Sequence, residues 1–462
     1  MSEPARLQRL LEQLSQALGP DKIRTHPAVL ESYAWDNTGV RVLPDGVVLP
    51  EETEQVAATL RLCYAAGVPV TPRGAGTGNV GGALAMKGGI VLSLQRMKRI
   101  IRVVPADRLA VVQPGVIHAE LQTTVAQHGL FWPPDPSSGK VCSIGGNLAM
   151  CAAGANAVRF GVTRDWVLGL QAVTADGRIF RTGTATTKGV VGYDLTRLLI
   201  GSEGTLAVIT EATLKLSPQP SARRLLAAIF ASVHQAADAV SDLMSYGEPP
   251  SALEFLDRAT LQLLRNSGGL SYLPEQAGAM LLLEVCGSSS VVDLLAEEMV
   301  QRLRRHHPLE VARAQDAAES DKIWAARFAL SPMLKKLAPK RVNEDVVVPV
   351  SRLHQLVEGL ELLAQESGIA IISFGHAGNG NLHVNLLVDP ADQTQISRVI
   401  PLLDRLFAMV LSLGGTLSGE HGVGVQKKDY VAQELDVTSL ALQQSIKQLF
   451  DPKGLLNPDK IL

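Results

Sequence analysis

Histidine is scarce in this chain, 10 in 462 residues, and three fall within one stretch of about fifty positions. Residues 374–385 read Phe-Gly-His-Ala-Gly-Asn-Gly-Asn-Leu-His-Val-Asn, and Ser418-Gly-Glu-His-Gly-Val-Gly424 follows. His376 and His383 are seven apart, so they do not share a helix face at i, i+4. A turn through Gly378-Asn379-Gly380 would bring the two imidazoles together. His383 and Asn385 alternate on a strand and face the same side. Glu420 adds a carboxylate from a second segment. Two nitrogens and one oxygen with open positions suit a catalytic zinc ion first, with manganese or iron as alternatives. His421, next to Glu420, is then free to act as a general base, a task imidazole performs near neutral pH. On these residues alone a metal-dependent hydrolase is as good a reading as a redox enzyme.

The elements that must position these groups are legible in outline. At 462 residues the chain exceeds one ordinary core, so two or more domains are expected. Hydrophobic residues make up 46% and aromatics only 4%, which predicts aliphatic packing and glycine-rich loops. A net charge of −2 argues against a general nucleic-acid or anionic-membrane binder. Cys63, Cys142, Cys151 and Cys286 are far apart without a CxxC, so reduced buried thiols are expected rather than disulfides or an iron–sulfur cluster. The polar N-terminus and the lack of a long apolar run predict a cytoplasmic protein without a transmembrane segment, peripheral to the inner membrane at most through a partner.

Leucine spacing predicts a helix over 4–19, and a second helix is expected over 53–66. Strands are expected at 68–71, 89–94, 109–113, 167–173, 206–211 and 213–216, with a helix over 118–128. Past Ser217-Pro-Gln-Pro220, helices over 233–246 and 291–305 alternate with strands at 225–229, 279–284, 346–350, 369–373 and 382–387. A last helix covers 438–450. The fold class is α+β. Domains are expected at 1–216 (core about 40–216) and 217–425, with 426–462 packing back on the first.

Arg73-Gly-Ala-Gly-Thr-Gly-Asn-Val-Gly-Gly82 contains a literal G-x-G-x-x-G. A dinucleotide fingerprint must open a long helix and be followed by an acidic residue about 20 positions on. Here a strand follows, and the position twenty past Gly81 is Ile101. The glycines instead suit a nest of backbone amides for a pyrophosphate, or a purely structural turn.

Further small-residue loops follow in order: Pro133-Pro-Asp-Pro-Ser-Ser138, Ser143-Ile-Gly-Gly-Asn-Leu-Ala-Met-Cys-Ala-Ala-Gly154, Arg159-Phe-Gly-Val-Thr-Arg164, Gly192-Tyr-Asp-Leu195 and Gly201-Ser-Glu-Gly-Thr-Leu-Ala-Val-Ile-Thr210. This series resembles the FAD-binding domain of the vanillyl-alcohol oxidase / p-cresol methylhydroxylase type. With the C-terminal motifs, nearly the whole chain is similar to the FAD-linked D-2-hydroxyacid dehydrogenases. These include cytochrome-linked D-lactate dehydrogenase, the glycolate oxidase flavin subunit and D-2-hydroxyglutarate dehydrogenase.

The resemblance implies an FAD-binding domain plus a substrate or cap domain, and a cofactor held without a covalent bond, since no histidine falls in 73–82 or 133–154. Arg73, Gly74, Ala75, Gly76, Thr77, Gly78 and Asn79 would hold the pyrophosphate. Pro136, Ser137, Ser143, Gly145, Gly146, Asn147, Gly161 and Val162 would line the flavin ring and ribityl chain. Glu203 and Ile209 would sit by the adenine half, and Asn457 would return from the C-terminus. It also implies metal-assisted oxidation, with His376, His383 and Glu420 as ligands and His421 as base. Arg327 would meet the substrate carboxylate, with Asn385 beside it. Asn343 stands where 2-hydroxyglutarate enzymes carry a lysine, which favours D-lactate or glycolate. The electron acceptor stays open between quinone, cytochrome and electron-transferring flavoprotein, as do partner subunits or a homodimer. Asn79-Val80, Cys151 and Asn379 depart from the usual pattern, the last replacing an Asp. The basic run Lys335-Lys336, Lys340-Arg341 reads as a solvated face.

Overall fold

The leucine periodicity of the N-terminus forms helix Glu3–Leu18, with Leu10 and Leu14 fully buried. The structure, a computed structural model, describes residues 3–266, 273–338 and 340–462. The chain divides into two compact units: Met1–Ala153, Val162–Gln219 and Glu420–Leu462 form the first, Gly154–Gly161 and Pro220–Gly419 the second.

In the first unit, helix Thr53–Ala66 stops at Gly67, whose left-handed backbone (φ 65°) turns its amide back to the Cys63 and Tyr64 carbonyls. A four-stranded sheet runs in the order Ile23–Arg24, Gly46–Val48, Ile90–Ser93, Val70–Arg73. A five-stranded antiparallel sheet runs Ile100–Val104, Leu109–Val112, Ala207–Lys215, Val167–Thr174, Ile179–Gly183. The two strands expected over 206–216 are one, Ala207–Lys215, broken by a register shift between Ile209 and Glu211. The interruption in the hydrophobic pattern is therefore a bulge and not a turn. Val112, Leu121, Trp132, Leu148, Leu170 and Leu214 build the core on this sheet, and Ile446 and Phe450 of helix Val437–Phe450 pack against it. Leu456 then pairs in parallel with Val70, and the Asn457 amide donates to the Val70 carbonyl at 2.8 Å. The C-terminus thus returns to the sheet that carries the glycine loop.

The second unit is built on a seven-stranded antiparallel sheet. Its order is Glu310–Arg313, Ala222–Phe230, Ala279–Gly287, Ala252–Asp257, Ala370–His376, Asn381–Val388, Lys340–Val347. Leu256, Met280, Ile372 and Phe374 pack with Leu261 and Leu264 of helix Arg258–Asn266 and with Leu330 and Leu334 of helix Ala317–Leu337. Helices Val233–Met244, Val292–Arg304, Leu353–Ser367 and Gln393–Ser412 also belong to this unit. The strand expected at 346–350 begins six residues earlier, at Lys340.

The expected end of the second domain, 425, and the observed change of unit, after Gly419, differ for a physical reason. The Val423 and Gly424 amides bond to Glu203 of the first unit, and the Val425 amide bonds to the Val80 carbonyl there. Residues 420–425 are therefore held by the first unit.

Candidate active site

The edge between strands Ala370–His376 and Asn381–Val388 puts the two histidines side by side. Ala377–Asn379 forms a tight 3-10 turn closed by Gly380 at φ 70°. The register pairs Phe374 with His383 and Glu254 with His376. The His376 and His383 rings lie 5.3 Å apart, edge to face. His376 Nδ1 is hydrogen-bonded to Glu254 Oε1, so Nε2 is the ring nitrogen turned away from that carboxylate. Asn379 is exposed on the outside of the turn, so the Asp-to-Asn departure falls away from the buried glycines around it.

Glu254 is a residue the sequence motifs did not signal. It is 1% exposed, and its other oxygen, Oε2, accepts from Arg327 Nε at 2.7 Å and Nη2 at 2.6 Å. Burial alone would raise its pKa, but His376 and Arg327 overcome that and hold the carboxyl well below the ordinary range. Arg327 is buried, not solvated, and its guanidinium lies 4.5 Å from the centre of the Phe374 ring. Its side-on edge is spent on Glu254, so an incoming carboxylate would meet the end-on edge. Asn385 is fully buried; its Nδ2 donates to the Ile372 and His383 carbonyls at 3.1 Å, while its Oδ1 has no hydrogen-bond partner. Asn343 is its cross-strand neighbour.

Asp345, cross-strand to His383 and fully buried, is a second group the motifs missed. Its Oδ1 accepts from Asn381 Nδ2 at 2.6 Å, and its Oδ2 from the Gly419 amide at 2.9 Å and Ser418 Oγ at 3.2 Å. Glu420 and His421 follow directly in the chain. In the basic run, Lys336 and Lys340 are exposed, but Arg341 is half-buried and donates to Ser331 Oγ at 2.9 Å. The Lys335 side chain lies outside the described residues.

The first unit carries the glycine loop. It leaves strand Val70–Arg73 and opens no helix, which removes the dinucleotide-fingerprint reading. The Gly78 and Thr77 carbonyls are turned toward Asn37, accepting from its amide at 3.1 Å and its Nδ2 at 2.8 Å. The amides of Gly76, Thr77, Gly78 and Asn79 have no acceptor among the described residues. Arg73 lies beneath, donating to the Trp35 and Ala83 carbonyls. A Cβ on Gly76 would fall 2.1 Å from Arg73 Nη2, and one on Gly74 2.3 Å from Ser143 Oγ. Ala75 is exposed beside them. Such a cradle of unpaired amides over a buried cation fits a pyrophosphate.

Ser143 caps helix Ile144–Met150 through the Gly146 amide, and Gly145 sits against Pro114, where a Cβ would come within 2.5 Å. Pro136 and Ser137 form a turn in which the Gly139 amide returns to the Pro136 carbonyl at 2.8 Å. Gly161, at φ 78°, belongs to the short segment of the second unit, and the Val162 amide begins the next turn on Asp165. Asn147 Nδ2 lies 3.5 Å from Nδ1 of His118, a buried histidine no motif marked. Burial pushes the His118 pKa down to about 4.

Asn457, at φ 45°, donates from Nδ2 to the Gly82 and Glu203 carbonyls at 3.0 and 2.7 Å, while its buried Oδ1 is unpaired. Glu203, at φ 52°, directs Oε1 to the Val423 amide and Oε2 to the Gly424 amide. Burial raises its pKa to about 7 against the pull of those amides, Lys460 and Lys427. Ile209 points into the apolar core beside the bulge.

Among the described residues no helix is long and apolar enough to cross a membrane. Residues 44–183 match the family described as FAD binding domain, and residues 219–461 that described as FAD linked oxidases, C-terminal domain. The glycolate oxidase subunit GlcD of Bacillus subtilis is 38% identical over 451 residues, covering 97% of this chain and 96% of the relative. D-lactate dehydrogenase of Anaerostipes hadrus is 32% identical, covering 96% and 95%. The crystal structure of p-cresol methylhydroxylase with substrate bound superposes with TM-score 0.81 at 16% identity, covering 100% of this chain and 97% of that one. Alkyldihydroxyacetonephosphate synthase gives 0.76 at 19% identity, covering 97% and 84%. At those identities the two structures establish the fold alone. Together with the unpaired amides of the glycine loop, the two family matches over consecutive parts of the chain lead to one conclusion: this protein belongs to the FAD-linked oxidases, flavin-dependent oxidoreductases of the vanillyl-alcohol oxidase / p-cresol methylhydroxylase fold.

Proposed function

We propose that the chain oxidises a small D-2-hydroxy acid, D-lactate or glycolate, to the 2-oxo acid. The observation that carries this reading is the Glu254–His376–His383–Arg327 group, in a chain whose near-full-length relatives are named glycolate oxidase subunit and D-lactate dehydrogenase. Bound FAD supplies the two-electron acceptor, and a divalent ion, zinc before manganese or iron, supplies a Lewis acid for the substrate hydroxyl. His376, His383 and Glu420 would hold that ion. Glu254 fixes the His376 tautomer by taking Nδ1, as buried carboxylates commonly do behind ligand histidines. Arg327 would take the substrate carboxylate on its end-on edge, its rotamer fixed by Glu254 and Phe374. His421 would accept the hydroxyl proton. Asn343 brings no second cation, which favours a monocarboxylate over 2-hydroxyglutarate.

Anaerobic mixing of the purified flavoprotein with D- and L-lactate, glycolate and D-2-hydroxyglutarate tests cofactor, stereochemistry and substrate together. Flavin bleaching by D-lactate or glycolate is the expected result, and dominant bleaching by the dicarboxylate would replace the substrate assignment. His421→Ala should keep FAD bound and lose bleaching by on the order of a hundredfold or more. A second reading, a flavin subunit that needs partners for activity, is favoured by the loop at 188–193. There Val190, Val191 and Tyr193 are almost wholly exposed. FAD-loaded protein that no hydroxy acid bleaches would support it.

A further inference from the structure

We propose that Glu203 is a positioning residue for the Glu420–His421 dipeptide, its carboxylate clamping the backbone just behind those two side chains. The inference rests on the roles given above to Glu420 and His421. Glu203 is 5% exposed and lies 220 residues away from Val423 in sequence. Its Oε1 accepts from the Val423 amide at 2.7 Å and its Oε2 from the Gly424 amide at 2.8 Å. One carboxylate taking two consecutive amides fixes both the position and the rotation of that peptide unit, and charge-assisted bonds of this kind are the strong ones.

The surroundings leave the segment little choice. Gly422 sits at φ 87°, and a Cβ there would fall 2.6 Å from Glu203 Oε1. Gly424 sits at φ 52°, and a Cβ there would meet the Val80 carbonyl oxygen at 2.0 Å. The Val425 amide donates to that same carbonyl at 2.8 Å. On the other side of the dipeptide, Asp345 holds the Gly419 amide and Ser418 Oγ within the second unit. Within the first unit, Glu203 therefore fixes residues 423–424, directly after Glu420, His421 and Gly422 in the chain. The Glu203 backbone carbonyl also accepts from Asn457, so the same residue ties the C-terminal return to the segment behind His421. A glutamate serving only the core would have no reason to spend both oxygens on backbone two and three residues beyond the proposed base.

The test compares wild-type holoenzyme with Glu203→Gln, which keeps the shape and one acceptor oxygen, and Glu203→Ala. Three quantities are read: FAD content from visible absorbance, the limiting rate of anaerobic bleaching with its substrate dependence, and amide hydrogen exchange across 418–428. The expected result is retained FAD and faster exchange at Val423 and Gly424. The limiting rate should fall on the order of ten- to a hundredfold in the alanine variant, with KM moving much less, and by less in the glutamine variant. Full-rate bleaching in Glu203→Ala, or FAD loss in proportion to the rate, overturns the positioning role. If no hydroxy acid bleaches the wild type, the substrate reading fails, and exchange alone decides the clamp. Faster exchange confined to 421–426 then supports it, and unchanged exchange overturns it.

Discussion

A buried imidazole with no carboxylate at hand makes a one-way demand on pH. His118 is hydrogen-bonded to Gln122 at 3.2 Å and approaches Asn147, with the Trp132 ring 5.6 Å away. Its pKa falls from the ordinary 6.5 to about 4 because burial disfavours the cation. Between those values the unfolded chain binds a proton that the folded chain refuses, so stability drops as pH falls from 6.5 toward 4. The lowered pKa is worth roughly 3 kcal/mol over that window. Glu203 runs the other way: raised from 4.5 to about 7, it lowers stability as pH rises between those values. His118→Asn should therefore raise the melting temperature at pH 5 relative to that at pH 7, compared with the wild type, because the opposite Glu203 contribution stays in place. A variant as acid-sensitive as the wild type would remove His118 as the cause. At this scale the sequence marked the histidines and glycines, because rare residue types at close spacing stand out. It could not mark Glu254 or Asp345. Each is one acidic residue in an ordinary strand, and only cross-strand register reveals its partner: His376 faces Glu254 across 122 residues.

The hairpin that joins the two histidine strands depends on one residue that lacks a side chain. Gly380 closes the Ala377–Asn379 turn at φ 70°, and a Cβ there would fall 1.8 Å from the Val348 carbonyl oxygen. Gly380→Ala would have to displace the backbone of the neighbouring strand end as well as bear a left-handed alanine, a cost of about 1–3 kcal/mol for the backbone alone. A lowered melting temperature with a marked loss of bleaching is the expected outcome, and unchanged bleaching would show that the turn does not hold the histidines. Elements with clean periodicity were legible: Thr53–Ala66 and Val437–Phe450 fall within a residue of their expected limits. Two long helices were not. Ala317–Leu337, which carries Arg327, and Gln393–Ser412 enclose Pro332 and Pro401. Proline ordinarily ends a helix pattern, and here tertiary packing overrides it.

For the whole molecule, length pointed to two or more domains and cysteine spacing to buried thiols, but Cys151 is only half-buried. Cys63, Cys142 and Cys286 are buried, and burial pushes the Cys63 thiol up to about 12. Neither signal foretold how the chain shares itself between its two units, because residues 154–161 and 420–425 are tied by long-range hydrogen bonds, Arg159 to the Cys286 carbonyl and the Val423 and Gly424 amides to Glu203. Removing residues 455–462 should release FAD, since it deletes both the Leu456–Val70 pairing and the Asn457 amide that reaches the Gly82 carbonyl. Visible absorbance and tryptophan emission after gel filtration would separate loss of the flavin from loss of the fold. Retained flavin at full stoichiometry would show that the C-terminal return is dispensable for the cradle.

That return also dictates an order of events during synthesis. Val70 leaves the ribosome almost four hundred residues before Leu456, its partner in the sheet. The glycine loop next to Val70 must wait, unfinished, while the whole seven-stranded sheet is made. Nascent chains therefore pass through a long period in which the second unit can close but the first cannot, and flavin capture waits until Leu456 and Asn457 have been made.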